Sequence, residues 1–366
     1  MSTAQARRQG PLAGIKVLEF PAIGPVPFCG MMLSDYGADV VRIGRRGSAL
    51  SPNNVTDRGK SFIVADLKDA QDAQQILRLA ERADVVIEGF RPGVMEKLGF
   101  GPQQLMARNT RLIYGRMSGW GQSGPLARSA GHDINYIALA GALAAFGPAG
   151  KNPVPPLNLV GDYGGGAMFL ALGISTALFE RTHSGQGQVI DAAMVDGSAL
   201  MMAHFTSWIA GGRSVARGDN LIDGSAHFYR TYQCSDGKYI AIGALEPQFH
   251  ARLWQLLGFP AEEVPGQDQV NWGAASEKLA AVFRTRTREQ WRALLEGTDA
   301  CFAPVLDLQE APEHPHLRER GVFVRESGVT QPAPAPRFSR TPAAIQSPPP
   351  QAALSLDDAL SAWASG

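Results

Sequence analysis

Residues 14–33, GIKVLEFPAIGPVPFCGMML, decide how the chain is read. Positions 15–20 alternate and end in apolar side chains, as a half-buried strand does. Gly24, Pro25 and Pro27 then break the run, and Phe28, Met31, Met32 and Leu33 resume at helical spacing. Outward from this strand, turn and helix, apolar β-branched runs at 39–43, 84–87, 111–117 and 188–191 read as further strands. Helical stretches such as 70–82 lie between some of them, and 192–205 follows the last. Strands alternating with helices imply a parallel sheet covered on both faces, so the expectation is a large Rossmann-like α/β domain. Residues 163–181 are apolar nearly all round and suit a helix buried on several sides.

The character of the chain changes near residue 222. Residues 228–233 and 238–242 flank Asp236-Gly237, a strong hairpin signal. Helical stretches at 248–257, 276–283 and 288–295 follow, so 223–325 reads as a smaller α+β domain and 1–222 as the large one. Residues 331–350 are proline-rich and read as an extended connector. Beyond it Leu356, Ala359, Leu360 and Trp363 share one helical face, with Ser355 and Asp358 as a capping pair. That stripe needs a surface to bury itself on, so 326–366 is expected to return to the large domain.

Across 366 residues, 34 basic side chains balance 34 acidic ones, and 45% of residues are hydrophobic. Balanced charge gives no reason to expect nucleic acid, and any anionic ligand must be held by a local cluster of Lys and Arg. Cys29, Cys234 and Cys301 are too scattered for a disulfide framework or a zinc site, which fits a reducing cytoplasm. The opening MSTAQARRQG has no apolar centre and reads as a loose arm rather than a secretion signal. Glycines and Pro148 in the uncharged runs 134–150 and 163–179 favour buried core over a membrane span. No Gly-x-Gly-x-x-Gly and no phosphate-loop pattern follows the first strand, so nicotinamide and nucleotide-hydrolysis chemistry have no motif here.

Three segments set an ionisable group among glycines, prolines or tight turns: His132 in GHDINY, Asp162 in NLVGDYGGG, and Glu246 in GALEPQF. Read singly, each has a plain structural role. His132 near a helix start can serve hydrogen bonding alone. Asp162 ahead of three glycines reads as an N-cap whose carboxylate satisfies free amides, and Glu246 before Pro247 as a first-turn residue.

Their order along the chain is what carries more. GHDINY at 131–136 and NLVGDYGGG at 158–166, with the PVPP lead-in at 153–156, closely resemble the α-methylacyl-CoA racemases. So do IEGFRPGVMEKLG at 87–99 and RMSGWGQSGP at 116–125. These enzymes are a branch of the family III CoA-transferase (CaiB/BaiF) group, and the resemblance runs from about Pro11 to Trp363. It implies that His132 and Asp162 transfer the proton and that Glu246, contributed by the partner subunit of an interlocked homodimer, stands near the histidine. It further implies CoA contacts at Arg45 and at Ala65, Asp66, Leu67 and Lys68. Arg91 and Lys97 look like additional phosphate contacts, and Gly131, Asp133, Ile134, Asn135 and Tyr136 match a stretch touching the thioester. One position departs from the family: Gly44 stands where Asp is usual.

The chemistry implied is inversion at the carbon next to a thioester carbonyl, which needs one group on each face of that carbon. The α-proton is weakly acidic, so the bases must be close and desolvated and the enolate oxygen must meet prearranged donors. Imidazole changes charge near neutrality and suits the task. Amides near Asp133, or at the glycine-rich helix start after Asp162, are the candidate donors. No metal and no cofactor beyond the CoA of the substrate are called for. Two rivals stand beside this reading: CoA transfer between carboxylic acids, with Asp162 as nucleophile, and a non-catalytic acyl-CoA binding protein.

Overall fold

A computed structural model describes residues 8–364. Residues 1–7, most of the expected loose arm, and the last two residues lie outside the described part. The end of that arm is not loose. Arg8 donates to the carbonyls of Ala38 (3.1 Å) and Gly59 (2.8 Å) and pairs with Asp39.

Packing divides the described chain into two compact units. The first comprises everything up to Ala140, Leu157–Met201 and His316 onward; the second comprises Gly141–Pro156 and Met202–Pro315.

In the first unit the order is β1 (Lys16–Glu19), α1 (Pro25–Asp35), β2 (Asp39–Gly44), β3 (Lys60–Val64), α2 (Ala70–Arg82), β4 (Val85–Glu88), α3 (Val94–Lys97), α4 (Pro102–Arg108) and β5 (Ile113–Ser118). Then come α5 (Asp133–Leu139), a wide π-type helix over Leu159–Met168 that runs straight into α6 (Phe169–Ser184), β6 (Val189–Ala193) and α7 (Met194–Met201). The described strands form one parallel sheet in the order β3-β2-β1-β4-β5-β6. Alternate residues feed opposite faces, as the two-residue period of a strand requires. Val17, Val85, Ile87 and Ile113 enter the core under α1 and α6, while Leu18, Val86 and Tyr114 enter the core under α2 and α4. At the end of β1 the wholly buried Glu19 pairs with Lys60 at 2.7 Å, and Lys60 also donates to the Pro27 carbonyl at 2.8 Å, tying β1, β3 and α1 together.

In the second unit, α8 (Ala203–Ala210), β7 (Tyr229–Gln233), β8 (Tyr239–Gly243), α9 (Pro247–Leu256), α10 (Trp272–Phe283), α11 (Arg288–Leu295) and β9 (Phe302–Pro304) follow. The antiparallel sheet β7-β8-β9 buries Ile240, Ile242, Leu253, Trp254, Leu279, Phe283 and Trp291 against its helices. Asp236-Gly237 makes the expected hairpin turn, with Gly237 at φ 76. A short α12 (Pro315–Glu319) leads back to the hairpin β10 (Phe323–Glu326) and β11 (Val329–Pro332).

The tail returns to the sheet unit. Leu354 bridges Ile63, and α13 (Leu356–Ala364) buries Ala359, Leu360 and Trp363 in the core it shares with α2. Its cap is as expected: Ser355 Oγ accepts the Asp358 N–H at 3.0 Å.

Three local expectations are corrected. Residues 60–64, unassigned in the sequence, form edge strand β3. Residues 192–205 are not one helix: 192–193 end β6, and α7 and α8 are interrupted at Met202. The 163–181 helix is not buried on several sides, since Leu172 and Phe179 are 62% and 68% exposed in the isolated chain.

Candidate active site

A sheet with this strand order reverses direction between β1 and β4, and loops leaving those strands part to open a crevice at their carboxyl ends. A cavity of about 360 Å³ lies there. Its walls come from 23–26 after β1, 89–92 after β4, 117–120 at the end of β5 and just beyond, 127 and 129–131 ahead of α5, and Met194 after β6. His132, Tyr136 and Asp162 complete it.

His132 is exposed at the N-cap of α5, and its own N–H donates to the Asn135 side chain at 3.0 Å. Tyr136 lies one turn further on the same helix, edge-on to Trp120 at 4.8 Å between ring centres. Glycine is required at 119 and 131 to admit that ring. A Cβ on Gly119 would stand 2.0 Å from Tyr136 Cζ, and one on Gly131 2.8 Å from Cε1.

Asp162 arrives from the wide helix. Such helices are rare, and they place side chains where a regular α-helix cannot. Here glycine makes the packing possible: a Cβ on Gly197 of α7 would stand 2.0 Å from the Gly165 carbonyl oxygen, and one on Gly165 2.7 Å from Ser198 N.

The N-cap reading of Asp162 is overturned. Its half-buried carboxylate caps no helix; it accepts from Asn158 Nδ2 at 3.0 Å and lies against Gly24. The capping is performed by Asp133, whose buried Oδ2 accepts the N–H groups of Gly161 (2.7 Å) and Asp162 (2.8 Å). Burial therefore dominates, and it holds the Asp162 carboxyl above the usual carboxylate range. The Asn158 hydrogen bond opposes that rise, the Asp133 charge adds to it, and His132 opposes it. A carboxylate so destabilised is a better base than a capping one.

Of the expected site residues, His132, Asp162, Tyr136, Gly131 and Arg91 share this cavity. Asp133 lies beneath it, holding the backbone of Asp162. Ile134 and Asn135 continue α5 without lining the cavity. Arg45 is exposed just past β2; past β3, Ala65 is buried, Asp66 and Leu67 are half-buried and Lys68 is exposed. Lys97 is exposed at the end of α3. Glu246 belongs to the second unit, exposed at the N-cap of α9. At Gly44 a Cβ would stand 2.1 Å from Phe62 Cζ, so a side chain there would have to displace that ring.

Two participants escaped sequence reading. Asn158 precedes Asp162 by four residues, a spacing that could have flagged it. Glu88, wholly buried at the end of β4, lies within the IEGFRPGVMEKLG stretch, but nothing in its local order marks it as buried. Among the described residues no group of three His, Cys, Asp or Glu side chains could hold a metal ion. No described helix is long and apolar enough to cross a membrane.

Comparison with known proteins gives one consistent result. The family model described as CoA-transferase family III matches residues 12–353. A Mus musculus protein named alpha-methylacyl-CoA racemase is 48% identical over 91% of this chain and 87% of its own length. The Homo sapiens protein of that name is 47% identical over the same shares. A crystal structure of a CAIB/BAIF family protein from Brucella suis superposes with a TM-score of 0.83 at 25% identity, covering 98% of this chain and 100% of that one.

Proposed function

The chain belongs to CoA-transferase family III, and on that premise we propose that it is an isomerase interconverting (2R)- and (2S)-2-methylacyl-CoA thioesters. The observation that carries this reading is the cavity shared by His132 and Asp162. An imidazole and a desolvated carboxylate at one cleft are what a two-base proton transfer requires. His132 and Asp162 stand on opposite faces of the α-carbon and hold one proton between them: with Asp162 protonated, neutral His132 removes the α-proton while Asp162 delivers its own to the opposite face, and with His132 protonated, ionised Asp162 removes the proton while the imidazolium delivers.

The intermediate enolate needs donors, and the hydrogen-bond pattern narrows the choice. The Gly161 and Asp162 amides are already taken by Asp133. The first amides of α5, those of Asp133 and Ile134, have no backbone partner in the described chain and start the helix beside His132. They are the donors in this scheme, and removing one such donor typically costs about 3 kcal/mol of transition-state stabilisation.

CoA is bound along the carboxyl ends of β2, β3 and β4 by Arg45, residues 65–68, Arg91 and Lys97, and nothing besides the substrate's own CoA is needed. Glu246 is supplied by a second copy of the chain and orients His132. Supporting a homodimer, α8 carries Phe205, Trp208 and Ile209 yet has no buried residue, and Leu172, Phe179 and Leu200 are also exposed. Apolar surface of this extent needs a cover. The cytoplasm is the proposed compartment, consistent with three unbonded cysteines.

The test is proton NMR of saturated 2-methylacyl-CoA thioesters with the purified protein in deuterated water. Deuterium replaces the α-proton and both enantiomers appear without any acceptor acid. A requirement for an added carboxylic acid, with an acyl-enzyme trapped by hydroxylamine, would show CoA transfer instead.

A further inference from the structure

Glu88 ends β4 and is fully buried, 0% exposed, directly under the cavity wall. Its Oε2 accepts the Phe90 N–H at 2.6 Å, and its Oε1 accepts Arg116 Nε at 3.1 Å. Arg116, itself buried, also pairs with Glu96 of α3 at 2.9 Å. Two carboxylates thus share one guanidinium, with Tyr114 as the other titratable group facing Glu88. The four residues after Glu88, namely Gly89, Phe90, Arg91 and Pro92, all line the cavity.

We infer that Glu88 is a positioning residue for acyl-CoA: through the Phe90 amide its carboxylate fixes the 89–92 loop, and with it Arg91, so that CoA binding weakens when Glu88 takes up a proton. The inference rests on the acyl-CoA reading for the identity of the ligand, and on geometry for the rest. Arg116 ties the same carboxylate to α3, so the loop is braced against two elements rather than one. Burial, the largest influence, pushes Glu88 up to about 7, despite the Phe90 amide and Arg116. The linkage has a definite sign. A carboxyl raised on folding contributes most stability when protonated, and that contribution declines as pH rises from the ordinary carboxylate range towards 7. The ionised form is therefore kept at the expense of stability.

The experiment is calorimetric titration of the full-length chain with CoA between about pH 6 and 8.5, for wild type and Glu88→Gln. The amide retains an acceptor for Phe90 but cannot ionise. At pH 8.5 the variant binds CoA about tenfold more weakly, and the gap closes towards pH 6 as wild type itself becomes protonated. Protonation of the CoA phosphates affects both proteins alike and cancels in the ratio. Equal affinity across the range, or a gap independent of pH, overturns the inference. Should Glu88→Gln fail to fold, Glu96→Gln takes its place: losing that neighbouring negative charge moves the pH midpoint of CoA affinity downward, and an unmoved midpoint overturns the inference. If α-proton exchange is absent while the Glu88-dependent affinity holds, the racemase reading fails and this one stands.

Discussion

Asp133 Oδ2 lies 2.8 Å from the backbone nitrogen of Asp162 and accepts its N–H, so the helix that starts at His132 is fastened to the helix that carries Asp162. The carboxylate also takes the Gly161 N–H, and a Cβ on Gly161 would stand 2.6 Å from it. Relative placement of the two proposed bases thus depends on one side chain that need not touch the reacting carbon.

Asp133→Asn keeps an oxygen for both amides but removes a charge that raises Asp162. The folded variant should titrate its essential carboxylate at lower pH in the pH profile of kcat/KM. Asp133→Ala instead strands the buried Gly161 N–H, at about 1–3 kcal/mol, together with the part-buried Asp162 N–H, and should melt measurably lower. A profile unchanged in Asp133→Asn would mean the essential carboxylate is not Asp162.

Removing one base should leave half of the chemistry. Asp162→Ala is expected to abolish racemisation of both enantiomers while His132 still exchanges the α-proton of one with deuterated water, and His132→Ala should show the mirror pattern. Complete racemisation in either variant would exclude the two-base scheme.

Glu246 supplied across subunits has a mixing signature. Co-refolded His132→Ala and Glu246→Ala chains form heterodimers in which one site carries both changes and the other carries none. With random pairing, about a quarter of wild-type activity should return from two impaired parents. No recovery would assign Glu246 to its own chain's site or to neither.

The second unit holds a buried histidine pair, His227 Nε2 and His250 Nε2 at 2.8 Å, with Trp254 Nε1 donating to His250 at 3.0 Å. Both are lowered to about 4, by burial foremost and, for His227, also by the neighbouring His250. Since both take up protons more readily when unfolded, their contribution is complete above the ordinary histidine range near 6.5. It is lost as pH falls from there towards 4, on the order of 2 kcal/mol. Urea midpoints at about pH 7.5 and 5 should differ more for wild type than for His250→Gln; equal differences would refute the assignment.

Strands such as 39–43 and 84–87 were legible because each carries adjacent β-branched residues, Val40-Val41 and Val85-Val86-Ile87, where both faces of a sheet are covered. Residues 60–64 were not, since Lys60 and Ser61 interrupt the pattern: Lys60 is buried only because Glu19 waits for it on β1. At the site, His132 and Asp162 were found through their motifs. Local order around Asp162 points to a cap, whereas the capping carboxylate is Asp133, supplied from 29 residues away. Local order likewise could not reveal that the Phe62 ring crowds the position of a side chain at Gly44.

The returning tail has a topological consequence. Gln75 of α2 hydrogen-bonds Asp357 across 282 residues, and Lys16 Nζ donates to the Trp363 carbonyl at 2.9 Å. A protease that nicks a surface loop between 202 and 315 would therefore cut the chain without parting its fragments. The early strands and the last helix would stay clasped through Ile76, Leu79, Leu360 and Trp363, and the break would show on a denaturing gel but not in the mass of the native particle.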